Sequence, residues 1–181
     1  VMDLCAGRSV GVTTLMAMKP KHAAEPFDAL YRQNADDLFA YVMTIVRDRA
    51  SAEDVTHAAF ERAYKKQDRY RPDRGSQRAW LFGIARNAAL DELRRRKRTA
   101  SLLVELPDAG EDDTGDDDAA RRSTVRAALS NLDPHDRELV ALKFFAGLSN
   151  AEIAGVLRLT ESNAGTKLHR ALNRLREACN A

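Results

Sequence analysis

Cysteine is nearly missing from this chain: two occur in 181 residues, Cys5 and Cys179, at opposite ends. That excludes a disulfide framework and a Cys-based metal site, and it suits the reducing cytosol. Histidine is also sparse, and His22, His57, His135 and His169 share no ligand spacing, so no metal is expected. No apolar run approaches the roughly 20 residues that a membrane helix needs. The stretch Val10 to Met18 resembles a leader core, but threonines interrupt it and Lys19-Pro20-Lys21 follows. A true start at Met16 or Met18, rather than Val1, or a disordered extension over residues 1–25, is the plainer account. Also missing are alternating apolar positions, a nucleophile motif and a phosphate-binding glycine loop. Neither catalysis nor a cofactor is expected of such a chain.

What is present is charge, and it is segregated. The net charge is only +2, yet residues 27–98 hold 16 Lys/Arg against 11 Asp/Glu, residues 99–120 hold 0 against 8, and residues 121–181 hold 10 against 6. Two basic blocks flank an acidic one, which points to a polyanion partner for the blocks and another role for the middle.

The apolar positions recur at helical spacing. Phe27, Leu30, Tyr31, Leu38, Tyr41, Val42, Ile45 and Val46 mark a first helix, with Asn34 as a point of bending or interruption. A second is expected from a Ser51 N-cap, with Glu53 and Asp54 in its first turn. It turns Val55, Ala59, Phe60 and Ala63 inward and leaves Asp54, His57, Glu61 and Lys65 as an outer stripe. A third, about 76–98, buries Leu81, Ile84, Ala85 and Ala88 and exposes Arg86, Asn87, Asp91, Arg94 and Arg95. Pro72 and Gly75 make the segment before it a loop. Residues 105–118 combine Pro107, two glycines and all eight acids, a composition for an extended linker that leaves the spacing of its flanks undefined.

Beyond the linker, Asp133-Pro134 supplies an N-cap and a first-position proline, and Gly147 ends that helix. Ser149 and Glu152 form a capping box for the next, which turns Ile153, Ala154 and Leu157 inward. After a break at Leu159-Thr160-Glu161, a final helix buries Ala164, Leu168, Leu172 and Leu175 and lines Asn163, Lys167, Arg170 and Arg174 along its opposite face. Two short helices with a tight turn, the second polar at its start and basic after, have the geometry that seats a helix in the DNA major groove. The plain alternative is a helical hairpin with a solvated basic face.

Three stretches together carry a family resemblance: "ASAEDVTHAAFERAY", "RGSQRAWLFGIARNAALDELRRRKR" and "LSNLDPHDRELVALKFFAGLSNAEIAGVLRLTESNAGTKLHRALNRLR". In this order they resemble regions 2.2, 2.3 to 2.4, and 4 of bacterial sigma factors of the extracytoplasmic-function group. The resemblance implies an all-α fold of two small helical domains joined by a flexible acidic linker. Residues 26–99 would be region 2, 100–121 the linker and 122–181 region 4. It also implies core RNA polymerase (the clamp helices of its largest subunit and its flap region) and promoter DNA as partners, with an anti-sigma factor in many members.

By the same resemblance, Asp54, His57, Glu61 and Arg62 fall where the family's clamp-binding helix makes contact. On the residues alone a charged stripe is commonly just a solvated face. The minus-10 element would meet Arg69, Tyr70, Arg71, Arg74, Ser76, Gln77 and Arg78, in the loop that captures a flipped base, together with Asn87, Asp91, Arg94 and Arg95. Gln77 stands where the family often has an aromatic, and Trp80 reads as core. The minus-35 element would meet Ser162, Asn163, Thr166, Lys167 and Arg170. Gly165, where relatives often carry a basic residue, marks either a soft point or a close approach of backbone to DNA. The acidic linker has a family analogue threaded through the polymerase; mimicry of RNA and plain solubility both account for its charge. A stand-alone helix-turn-helix regulator is the rival reading, separated by residues 51–98, which offer an outer stripe and a basic loop rather than a sensor pocket.

Overall fold

The computed structural model describes residues 26–100, 127–129 and 131–180. The expected N-terminal extension and residues 101–121 of the expected linker lie outside the described residues. Helices α1 (Phe27–Val46), α2 (Arg49–Lys65) and α3 (Gln77–Ala100) form a first bundle, and α4 (Pro134–Phe144), α5 (Asn150–Leu157) and α6 (Glu161–Asn180) form a second. Two single 3-10 turns, Gln67–Arg69 and Pro72–Arg74, join α2 to α3. No strand occurs among the described residues.

Local chemistry explains most of the boundaries and corrects some expectations. Helix α1 runs unbroken through Asn34, whose amide donates to the Leu30 carbonyl at 2.6 Å while its oxygen accepts from Arg78. An asparagine satisfied at both ends no longer competes with the helix backbone. The cap of α2 is Asp48 rather than Ser51: the Asp48 carboxylate accepts from the Ser51 amide at 2.9 Å. Ser51 instead turns its hydroxyl to the Arg96 guanidinium. Ser76 caps α3, accepting from the Ala79 amide at 3.1 Å. In the second bundle the Asp133 cap and the Ser149–Glu152 capping box stand as expected, and Gly147 supplies the left-handed turn at φ 61°. The break before α6 falls at 158–160, where Arg158 is left-handed, and Thr160 caps α6 through the Asn163 amide.

The cores follow the apolar stripes. Val55, Ala59, Phe60 and Ala63 of α2 and Leu81, Ala85 and Ala88 of α3 are buried; Ile84 is half-buried. Phe82 is fully buried although it falls beside the expected stripe of α3. It packs 5.3 Å from the Tyr41 ring and beneath the Arg78 guanidinium, on the side that faces the second bundle. A helix covered from two directions needs a wider apolar face, and burying such a ring contributes roughly 1.5–3 kcal/mol. In the second bundle Leu139, Leu142, Leu148, Ile153, Leu157, Ala164 and Leu168 come together, with Val140 and Ala171 closing α4 against α6.

The two bundles are in contact: α1 packs on α4 and α3 on α5, and one buried cluster runs from Leu30 through Phe82 and Leu142 to Leu168. The expectation of undefined spacing is thereby corrected. The signal lay in side chains that pair across about 50 to 100 residues, which no local periodicity reveals.

Candidate nucleic-acid interface

The outer stripe of α2 forms as its spacing requires, because Ala52, Val55, Thr56, Ala59 and Ala63 occupy the buried face. Asp54, His57, Glu61 and Arg62 are all exposed. Lys65 donates to Glu61 one turn away and holds its carboxyl below the usual carboxylate range. Beside the stripe runs a shallow groove of about 380 Å³, floored by Val55, Ala58 and Ala88 and rimmed by Asp54, Arg62, Asp91 and Arg95. Residues assigned to two different partners therefore share one surface.

At the C-terminal end of α3, Asn87, Asp91, Arg94 and Arg95 are exposed, as the helical spacing predicts. Arg94 pairs with Asp91 at 2.8 Å, and Arg95 pairs with Glu92, lowering the Glu92 carboxyl. Arg96 differs from its neighbours. Its guanidinium reaches Asp48, Ser51 and the Val46 carbonyl, tying α3 to the corner between α1 and α2. A run of five basic residues conceals such a tie, since only the third points inward.

The loop before α3 is divided. Arg69, Arg71 and Arg74 are exposed, whereas Tyr70 and Gln77 are buried and Ser76 and Arg78 half-buried. The Tyr70 hydroxyl donates to the Gly75 carbonyl at 3.0 Å and its ring lies 5.7 Å from Trp80. Gly75 closes this loop at φ 139°, a conformation a side chain would strain. Burial, then the nearby Glu152 charge, raises the Tyr70 phenol. Trp80 packs against the core, in line with the sequence reading.

Four residues, Tyr41, Ser76, Arg78 and Arg86, tie this loop and its neighbours to the second bundle. Arg78 donates to the carbonyls of Phe145 (2.7 Å) and Ala146 (2.6 Å) at the corner between α4 and α5, and to Asp37 (2.6 Å) and Asn34 on α1. Both the amide (3.3 Å) and the hydroxyl of Ser76 donate to Glu152 Oε1. Burial raises the Glu152 carboxyl, but hydrogen bonds from Ser76 and Ser149 outweigh it and the net direction is down. Arg86 donates through two nitrogens to Glu138, at 2.7 and 3.3 Å, and the Tyr41 hydroxyl adds a third bond to Glu138 at 3.0 Å. Glu138, Glu152, Asn34 and Tyr41 were not among the expected functional residues; the capping box alone accounted for Glu152.

On α6, Ser162, Asn163, Thr166 and Arg170 are exposed and Lys167 is half-buried, all on the face opposite Ala164, Leu168 and Ala171. The Thr166 hydroxyl turns back to the Ser162 carbonyl at 3.0 Å. Arg174, expected on the same face, is drawn to Asp136 of α4 in an ion pair that links the two helices. Gly165 faces α5: a Cβ there would lie 3.4 Å from the Asn150 amide nitrogen. That is ordinary contact with the end of a flexible side chain, so packing inside the helix-turn-helix leaves room for an alanine.

With this geometry in view, the family model for sigma-70 region 2 matches residues 30–99 and that for sigma-70, region 4 matches residues 122–175. The chain is 34% identical over 157 residues to the ECF RNA polymerase sigma factor BldN of Streptomyces coelicolor, covering 84% of this chain and 60% of BldN. It is 31% identical over 152 residues to SigL of Mycobacterium tuberculosis, also an ECF sigma factor, covering 82% of this chain and 85% of SigL. Among solved structures, the sigma factor RpoE of Bartonella quintana, in complex with the anti-sigma factor NepR, shares the fold (TM-score 0.74, 22% identity, 86% of this chain and 97% of that one). CnrH in complex with the cytosolic domain of CnrY is also similar (TM-score 0.61, 27% identity, 85% of this chain and 87% of that one).

Proposed function

Because the chain belongs to the extracytoplasmic-function group of the sigma-70 family, we propose that it is a promoter-specificity subunit that carries no catalysis of its own. Residues 26–99 bind core RNA polymerase and the minus-10 element, and residues 122–181 bind the minus-35 element. The carrying observation is that the α2 stripe, the C-terminal part of α3 and the outer face of α6 each present exposed charged or polar side chains in family order, the first two side by side along one groove. The stripe docks on the clamp helices and the second bundle on the flap region. Asn87 and the exposed arginines approach the melted strand, where phosphates reward charge and unstacked bases reward flat or amide groups. Lys167 and Arg170 approach the major groove, with Ser162, Asn163 and Thr166 at its entry. No helix among the described residues is long and apolar enough to cross a membrane, and the site of action is the cytoplasm, alongside the polymerase. An anti-sigma partner, of the kind bound to RpoE, is part of this reading.

Permanganate footprinting of a cognate promoter tests it with the chain alone, core alone and both together. Thymine reactivity at the minus-10 element should need both. Tight sequence-specific duplex binding by the chain alone, with no reactivity added by core, would leave the stand-alone regulator as the better account.

A further inference from the structure

Of the basic run at the end of α3, Arg94, Arg95, Lys97 and Arg98 are exposed, and only Arg96 turns inward. Its guanidinium donates to four acceptors: Glu92 Oε1 on its own helix (3.0 Å), the Val46 carbonyl at the end of α1 (3.3 Å), Asp48 Oδ2 (3.0 Å) and the Ser51 hydroxyl in the first turn of α2. The same Asp48 oxygen accepts from the Ser51 amide at 2.9 Å, so one atom both caps α2 and holds α3. Apolar packing does not reach this far. The last buried side chain of α3 is Ala89, and Leu90 and Leu93 are only half-buried. Arg96 lies seven residues beyond Ala89, about 10 Å along the helix at about 1.5 Å per residue. Asp91, Arg94 and Arg95, all assigned to the minus-10 element, lie on this overhang.

Resting on the proposed function, we propose that Arg96 is a positioning residue for promoter reading: through Asp48 and Ser51 it holds the end of α3 in fixed register with α2, the helix that docks on polymerase. Its side chain is 34% exposed and pairs with two carboxylates, Asp48 and Glu92, which compensate its charge and repel a phosphate. The planar fork of a guanidinium matches several acceptors at once, which a lysine could not do. Consecutive residues serve different sides of the helix: Arg95 lines the groove beside Asp54, and Arg96 faces the corner between α1 and α2. Asp54, the first residue of the docking stripe, follows the Asp48 cap by six residues of one continuous helix, so the corner that holds Arg96 also sets the start of the docking surface. With the tie broken, the overhang must be ordered when DNA binds, and that entropic cost falls on recognition and not on docking.

The test uses holoenzyme reconstituted from core polymerase and the full chain, on promoter DNA with a cognate or a scrambled minus-10 element, across a salt titration. Arg96→Ala should lower the preference for the cognate element several-fold and leave core affinity and the salt slope unchanged. Asp48→Ser, which keeps the cap but is too short to reach Arg96, should lower the preference in the same direction although it removes a negative charge. The double variant should be no worse than either single variant, as expected of two residues that act as one unit. Circular dichroism checks folding in each, and Asp48→Ser carries the test alone if Arg96→Ala does not fold. Equal weakening on both elements, with the salt slope reduced by about one, would make Arg96 a phosphate contact and overturn the proposal. Tighter DNA binding by Asp48→Ser, additive losses in the double variant, or unchanged preference in the single variants would overturn it too. Failure of the unmodified chain to bind core would instead strike at the function proposed above.

Discussion

The hydroxyl of Tyr41, on α1, donates to the carboxylate of Glu138, 97 residues later on α4, at 3.0 Å, and the ring that carries it is fully buried. The same carboxylate takes two bonds from Arg86, so a single acid gathers α1 and α3 onto the second bundle. Burial, and then the Glu138 charge, pushes the Tyr41 phenol well above the ordinary tyrosine value. Tyr41→Phe should cost about 1.5–3 kcal/mol, the range for a hydrogen bond to a charged group, measured by urea unfolding. In an ultraviolet titration of the unmodified protein, Tyr41 should ionise only with alkaline unfolding.

Glu152 predicts a slope in acid. Its carboxyl lies below the ordinary 4.5 in the folded chain and returns to that value on unfolding, so near this pH the unfolded state binds more protons. Stability from this group is complete above about 4.5 and declines as pH falls through the lowered value. Asp48 and Glu92 are shifted in the same direction and add to the slope. Unfolding midpoints between about pH 3 and 6 should therefore rise with pH, and less steeply in Glu152→Gln, whose amide retains the capping role. An identical slope in both proteins would remove Glu152 from the account.

Gly165→Ala separates helix propensity from packing. An alanine in a helix interior gains roughly 0.5–1 kcal/mol over glycine, and the new methyl would meet the end of the Asn150 side chain at 3.4 Å, ordinary contact. The variant should be slightly more stable by thermal melting, with promoter binding retained. Gly165→Leu, which must displace Asn150, should lower both.

For the docking face, Asp54→Lys with Glu61→Lys should abolish polymerase binding and leave circular dichroism unchanged, since both side chains are exposed. Undiminished affinity would count against the α2 stripe.

On α6, Lys167→Ala and Arg170→Ala should weaken minus-35 binding. A bidentate base contact gives about 1–3 kcal/mol of discrimination, whereas a phosphate contact weakens all sequences alike. Competition between cognate and scrambled duplexes in the polymerase complex distinguishes the two, and no change with either duplex would take this helix out of the groove.

The helices and their surfaces were legible because they depend on short-range patterns. The α2 stripe follows from a buried face at 3.6-residue spacing, and the second bundle announces its caps at Asp133 and Ser149. Asp48 was missed as a cap because Ser51, three residues on, carries the same chemistry into a first-turn position. Burial of Tyr70 in its own loop, the inward turn of Arg96 and the convergence of Arg86 and Tyr41 on Glu138 depend on partners distant in sequence or on a rotamer choice. Nothing in composition or period separates Arg96 from Arg95, yet one holds a corner of the fold while the other lies on its surface.

Glu152 divides its labour by atom: Oε1 receives Ser76 from the other bundle, and Oε2 receives the Ser149 amide and hydroxyl of its own helix start. Parting the bundles breaks only the first set. Separation is thus a sub-global opening without loss of secondary structure, silent in far-ultraviolet dichroism. Hydrogen exchange can see it, because the Ser76 amide would lose protection while the Ser149 amide kept its own.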